Sequence, residues 1–274
     1  MKHFFLSFVA IATLLHATAV FAESKSEEFE QYEIRSYDPQ KSGLTDLTFE
    51  AHIDNLTEVL NKTQAFGKLI DVYFKIYWMA PSQYKIEVLG LPRGFQEVRD
   101  DLSTLIKGKL EFIIPERLSS KFQGYTLNKA EPVADGKLIK AIDDTYTLAI
   151  PQIDLIFDNS GRLKSVENKM SKPMKTEFFQ SPKAWSNNKI VMDKIVSSSK
   201  VGNVTSTITN SIEYTSVAGI GLPSKITVKN VTEAVIPATK KDKEKKVKNE
   251  TGTTIRLSKY EVNTGKAQKE IIQK

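Results

Sequence analysis

The sequence predicts a mainly β (α+β) domain, a strongly curved antiparallel sheet with one or two covering helices. Period-two alternation of apolar and polar residues dominates the chain, which marks strands with one wet face. Gly, Pro, Asn and Asp break these runs at short intervals, as the turns of an antiparallel sheet do. Only the segment from Gly94 to about Lys107 has a clear helical period, so helices are few.

A short helix is expected from Ser26 to Tyr37. Leu47, Phe49, Ala51 and Ile53 alternate with Thr48, Glu50, His52 and Asp54, which describes a strand. Val72, Phe74, Ile76 and Trp78 repeat the pattern, and so do Tyr84, Ile86 and Val88. Met79-Ala80-Pro81-Ser82-Gln83 joins these two runs into a hairpin, because proline cannot continue the ladder. From Gly94 the period changes, and Phe95, Val98, Leu102, Leu105 and Ile106 share one side of an amphipathic helix that Gly108 stops. Leu110, Phe112 and Ile114 then form either a strand or a continuation of that helix. Further strands are expected at Phe122 to Leu127, Leu138 to Ile142, Tyr146 to Ile150 and Ile153 to Phe157. Residues 189–196 and 204–214 should pair around Gly202-Asn203. Gly219 to Pro223 should turn into a strand at Lys225 to Val231, with a last strand at Thr254 to Val262. The polar tail 263–274 is expected to fray.

Residues 1–22 have the layout of a secretory signal, with Lys2, an apolar stretch from Phe4 to Leu15, and Val20-Phe21-Ala22 before Glu23. The stretch is shorter than the ~20 residues a spanning helix needs, and no cysteine follows it to accept a lipid. Cleavage and export to a bacterial periplasm without a lipid anchor are therefore expected, leaving residues 23–274 as one domain. The chain has no cysteine, which excludes disulfides and thiolate metal sites. Much of the formal net charge of +6 lies in residues 240–248, with six lysines against two acids. This run reads as a solvated loop that discourages edge pairing, or else as a docking patch; nucleic acid is not expected as a partner.

Catalytic machinery is not expected either. Nucleophile and general-base chemistry most often needs His or Cys, and His3 and His16 fall within the signal, leaving His52 on the polar face of a strand. The pairs Asp100-Asp101 and Asp143-Asp144 lack the spacing of a calcium loop. No phosphate-cradling glycine loop or dinucleotide fingerprint occurs, so no cofactor and no metal are expected.

A one-faced sheet of this extent has more apolar surface than two such helices easily cover. Either the sheet curls and fills with side chains, or it leaves a concave apolar space that admits a ligand. Phe49, Phe74, Trp78 and Tyr84 are large enough to fill much of that space themselves.

The stretches "LTDLTFEAHID" and "DVYFKIYWMAPSQYKIEVLG", with weaker echoes in "IDLIFDNSGRLKSV" and "SIEYTSVAGIGLPSKITVKN", bear on this choice. Following a short helix, they resemble the aromatic strand, proline turn and later strands of the LolA-like family of periplasmic lipoprotein carriers, which includes LolB and RseB-type domains. The resemblance covers residues 26 to 231. It implies an open half-barrel with helices as a lid over a cavity that receives acyl chains. Two departures are visible: Ala80 stands where carriers usually have an arginine, and the helix from Gly94 replaces a glycine-containing segment. The family motif carries over Trp78, Pro81 and Tyr84. With Phe49, Ile53, Phe74, Ile76, Ile86 and Leu102 they make up the expected apolar ligand site. The expected function is periplasmic binding of a lipid, acyl chain or lipoprotein, in outer-membrane lipoprotein or lipid trafficking. Expected partners are lipid or lipidated protein, envelope proteins and a peripheral membrane contact, with the protein itself a monomer. The alternative is a non-catalytic envelope structural or interaction protein with a filled core.

Overall fold

The computed structural model describes residues 26–63, 67–236 and 245–272. The segment 1–22, expected to be a signal, and residues 240–244 of the basic run lie outside the described residues. The described chain forms a single antiparallel sheet of thirteen strands that is not closed into a barrel.

One end of the sheet is the N-terminal meander of β1 (Asp46–Ile53), β2 (Tyr73–Met79) and β3 (Gln83–Leu89). The other end is built from β4 (Thr126–Leu127), β5 (Glu131–Val133), β6 (Gly136–Ile142), β7 (Gln152–Phe157) and β8 (Leu163–Asn168). Between them run β9 (Met174–Pro182), β10 (Ile190–Val201), β11 (Val204–Val217), β12 (Ile220–Ile236) and β13 (Lys245–Val262). The spatial order is β3-β2-β1-β13-β12-β11-β10-β9-β8-β7-β6-β4, with β5 paired to β6. Within the described sheet the meander is paired to the other strands through β1 and the last strand, Leu47 opposite Val262 and Ile53 opposite Ile255.

Alternation sends one set of side chains to a common face, where two apolar clusters form. The first gathers Phe49, Phe74, Ile76 and Trp78 with Ile212, Leu222, Ile226 and Ile255. The helix α3 (Gln96–Lys107) caps it, with Ile106 buried and Val98 and Leu102 packed beside it. The second cluster joins Ile139, Ile153, Leu155, Phe157 and Leu163 to Phe29, Leu118 and Phe122. Phe29 comes from α1 (Glu27–Arg35), and Leu118 from the single turn α4 (Leu118–Lys121). The helix α1 starts where it does because the Ser26 hydroxyl accepts the Phe29 N–H and three glutamates occupy the first turn. A further short helix, α2 (Leu56–Lys62), follows β1.

Several elements differ from the sequence expectation. Residues Leu110–Phe112 form a 3-10 turn, neither strand nor helix extension, and Ile113 and Ile114 both donate to the Leu110 carbonyl. The strand expected at Phe122 shrinks to Thr126–Leu127, because Phe122 ends α4 with its ring buried. Residues 146–150 form a turn and not a strand: the Asp143 carboxylate accepts the Thr145 and Leu148 N–H groups, which takes those donors out of any ladder. Residues 245–248 of the basic run belong to β13 and not to a loop. The tail expected to fray instead forms α5 (Lys266–Ile272), with Ala267 fully buried. Asp46 anchors it, accepting the Gly265 N–H at 3.1 Å and the Gln268 N–H at 2.9 Å. Asn263 adds contacts to Thr45, Asp46 and Gly43.

Candidate apolar binding cavity

Over β8 to β11, beneath α1 and residues 110–122, lies an apolar cavity of about 350 Å³. Its floor is the concave face of the sheet: Val166, Phe178, Ile195 and Met192. Its roof is the C-terminal end of α1 with Tyr32 and Tyr37, together with Phe112, Ile113, Leu118 and Phe122. The wall continues outward to Asn168, Met174 and Thr176, and charged residues, among them Lys41, Glu111, Glu116 and Arg117, stand along it.

Tyr37, Tyr214 and Gly221 border the cavity, and Trp185 packs against all three. Trp185 lies edge-on to Tyr37 (5.0 Å between ring centres, 90°) and beside Tyr214 (5.6 Å). Its ring rests on the backbone of Gly221, where a β-carbon would sit 1.9 Å from the nearest ring atom. Glycine at this strand position is a packing requirement. The Gly221 N–H donates to Tyr37 Oη at 2.8 Å, and Tyr214 Oη donates to the Met192 carbonyl at 2.9 Å. Burial pushes the phenols of Tyr32, Tyr37 and Tyr214 above the ordinary range, so they remain neutral.

Two of the polar side chains that line the cavity are partly held within it, Gln180 and Lys121. Gln180 donates through Nε2 to Tyr32 Oη (3.2 Å) and to the Leu163 carbonyl (3.3 Å). Its Oε1 is buried without a hydrogen-bond partner among the described residues. An unmet acceptor of this kind costs about 1–3 kcal/mol, which a donor reaching it would recover. Burial pushes the Lys121 amine down to about 8, while the Glu111 carboxylate in contact with it opposes the loss of charge.

None of the nine residues expected to line a ligand site borders this cavity. Phe49, Phe74, Ile76 and Trp78 are buried in the first core cluster, and Ile53, Ile86 and Leu102 pack against it. That end of the concavity is filled. Trp78, Pro81 and Tyr84 do come together, bordering a second, more polar depression of about 720 Å³ with Lys107, Leu110, Ile114 and Arg117. Tyr84 is exposed there, with the Lys107 ammonium 5.6 Å from its ring centre. The sequence reading missed Tyr32, Tyr37, Phe178, Trp185 and Tyr214, although an aromatic at each was visible. Trp185 stands in a turn, and Gly221 read as part of a turn, whereas it belongs to β12 opposite Ser216.

The other chemical candidates have structural surroundings. His52 stacks on Tyr73 at 5.2 Å on the outer face, with Glu50 3.5 Å from its Nε2. Asp143 is a turn-holding carboxylate, and hydrogen bonds from Thr145 lead the causes that hold its pKa below the ordinary value. Among the described residues no three His, Cys, Asp or Glu side chains gather as a metal site. No helix among them is long and apolar enough to cross a membrane. In comparisons with family models, curated proteins and solved structures, nothing matches this chain.

Proposed function

We propose that this protein binds an apolar ligand (a lipid, an acyl chain or the lipid part of a lipidated protein) in the cavity over β8 to β11. The work is done in the periplasm after export and removal of residues 1–22. The single observation that carries this reading is the unfilled apolar cavity of about 350 Å³ between sheet and roof, within the ~300–1,000 Å³ of small-molecule sites. Its floor and much of its roof are aromatic and aliphatic, with charged residues along the wall, and affinity would come from apolar area removed from water at ~25 cal/mol per Å². An open, curved antiparallel sheet with helices on its concave face also agrees with the fold that the LolA-like resemblance implies, although the lid is built from α1 and residues 110–122. The test is native mass spectrometry of protein purified from the periplasm, with organic extraction. Co-purifying lipid is expected, and a clean apo mass under gentle conditions contradicts the reading.

A second reading has one observation in its favour. The concavity under β1 to β3 is filled by Phe49, Phe74, Ile76 and Trp78, as it would be in an envelope structural or interaction protein that works through its outer surface. Absence of lipid uptake would favour it.

A further inference from the structure

The central strands run well past the cavity. From the core row Ile212, Ile226 and Ile255, eight further residues of β11 and β12 lead outward, ~27 Å at ~3.4 Å per residue. The row reached there is Val201, Val204, Ala234 and Val247, four residues set side by side by the pairing of β10 to β13. No register shift interrupts these pairings between the two rows, so alternation keeps the outer row on the same face as the core. Ser199, Ser206, Thr232 and Asn249 form a polar row just inside it. The outer row is nevertheless apolar and open to solvent: Val201 is 48% exposed, Val204 40%, Val247 41%, and Ile236 beyond them 50%.

The opposite face of the same strand ends is basic. Lys200 pairs with Thr205, Lys246 with Val235 and Lys248 with Glu233, whereas Lys245, opposite Ile236, lies on the apolar face two residues beyond Val247. All four lysines are exposed. Of the nearby acids, Glu250 is held by Lys229 at 2.6 Å and lies 3.6 Å from Lys248, which leaves Glu233 against the rest. A lipid leaflet with anionic headgroups offers an apolar layer to the valines and negative charge to the lysines that flank the row on both faces of the strand ends.

The geometry points to the outer ends of β10 to β13 as the surface by which this protein docks on an anionic lipid membrane. This docking extends the lipid-binding reading by supplying the surface with which cargo is exchanged, and the two fail separately. Uptake of fatty acid in the absence of vesicles reports on the cavity alone.

The experiment is co-sedimentation of the mature chain with phosphatidylglycerol-containing vesicles and with pure phosphatidylcholine vesicles. Binding to the anionic vesicles should exceed that to the neutral ones by at least about tenfold at low ionic strength and fall steeply by about 0.5 M salt. Reversing Lys245, Lys246 and Lys248 to glutamate should weaken it by about fivefold or more per lysine. Val204→Asp with Val247→Asp should weaken it by about tenfold while circular dichroism is unchanged. If that pair impairs folding, Val204→Thr with Val247→Thr keeps strand propensity and should give a smaller loss in the same direction. No binding to anionic vesicles overturns the inference, as does equal binding by wild type and variants. Light scattering that shows a dimer dispersed by Val204→Asp also overturns it, since the row would then join two copies of the chain.

Discussion

Trp78 and Gly221 show what single side chains decide in this fold. Trp78 is 3% exposed within the first core cluster, so Trp78→Ala should cost ~3–5 kcal/mol in chemical denaturation, as truncation of a buried aromatic does. A loss near ~1 kcal/mol would mean that the ring lines open space. Gly221→Ala drives a methyl group into the Trp185 ring, which must move away from β12. The expected cost is ~1–3 kcal/mol for overpacking, together with a changed tryptophan emission and near-ultraviolet dichroism. An unaltered tryptophan signal would show that Trp185 does not rest on Gly221. The burial of Phe49, Phe74 and Ile76 was legible from alternation alone, because the same parity that marks a wet face marks a buried one. Whether the buried face meets ligand or protein was not legible, since both demand the same residue types.

Elements that hold themselves by local pattern were readable, and those held by distant partners were not. Helix α3 follows from Val98, Leu102 and Ile106 at helical spacing, and the β10–β11 hairpin from Gly202-Asn203. Helix α5 could not be read, because its anchor, Asp46, lies more than two hundred positions away. Asp46→Ala should leave the Gly265 and Gln268 N–H groups without their acceptor, at about 1–3 kcal/mol. Hydrogen exchange at residues 266–272 should accelerate while the middle of β13 stays protected; unchanged exchange would show that α5 holds without Asp46. The turn at 143–150 makes a pH-dependent contribution. The Asp143 carboxyl has its pKa lowered on folding, chiefly by hydrogen bonds from Thr145. Its stabilisation is therefore fully present above the unfolded carboxylate value and is lost as pH falls through the lower folded value. Asp143→Asn should lower the melting temperature near neutral pH, and the difference from wild type should shrink below about pH 3.8. A difference that stays constant down to strongly acidic pH would remove the carboxylate from that role.

At the scale of the whole molecule, function turns on where the covers of a large open sheet stop. Alternation predicts the antiparallel sheet and the excess of apolar face over helix, which is why either a filled or an open concavity had to be expected. It does not say where along the sheet the opening falls. The cavity draws Tyr32 and Tyr37 from the first helix and its exit, Phe112 and Phe122 from the middle of the chain, and Tyr214 from β11. That convergence is a property of the assembled sheet and of no single segment. The filled end under β1 to β3 and the unfilled space over β8 to β11 thus divide one face between core and candidate site. The most direct measurement is a titration of a fluorescent fatty acid into the protein lacking residues 1–22 and into its Val166→Trp variant, whose larger side chain would occupy the cavity floor. Saturable uptake by wild type, weakened at least about tenfold in Val166→Trp at a retained melting temperature, is the predicted result, equivalent to ~1.4 kcal/mol or more of binding free energy. No uptake by wild type, or equal uptake by both proteins, contradicts the assignment of the cavity as the ligand site.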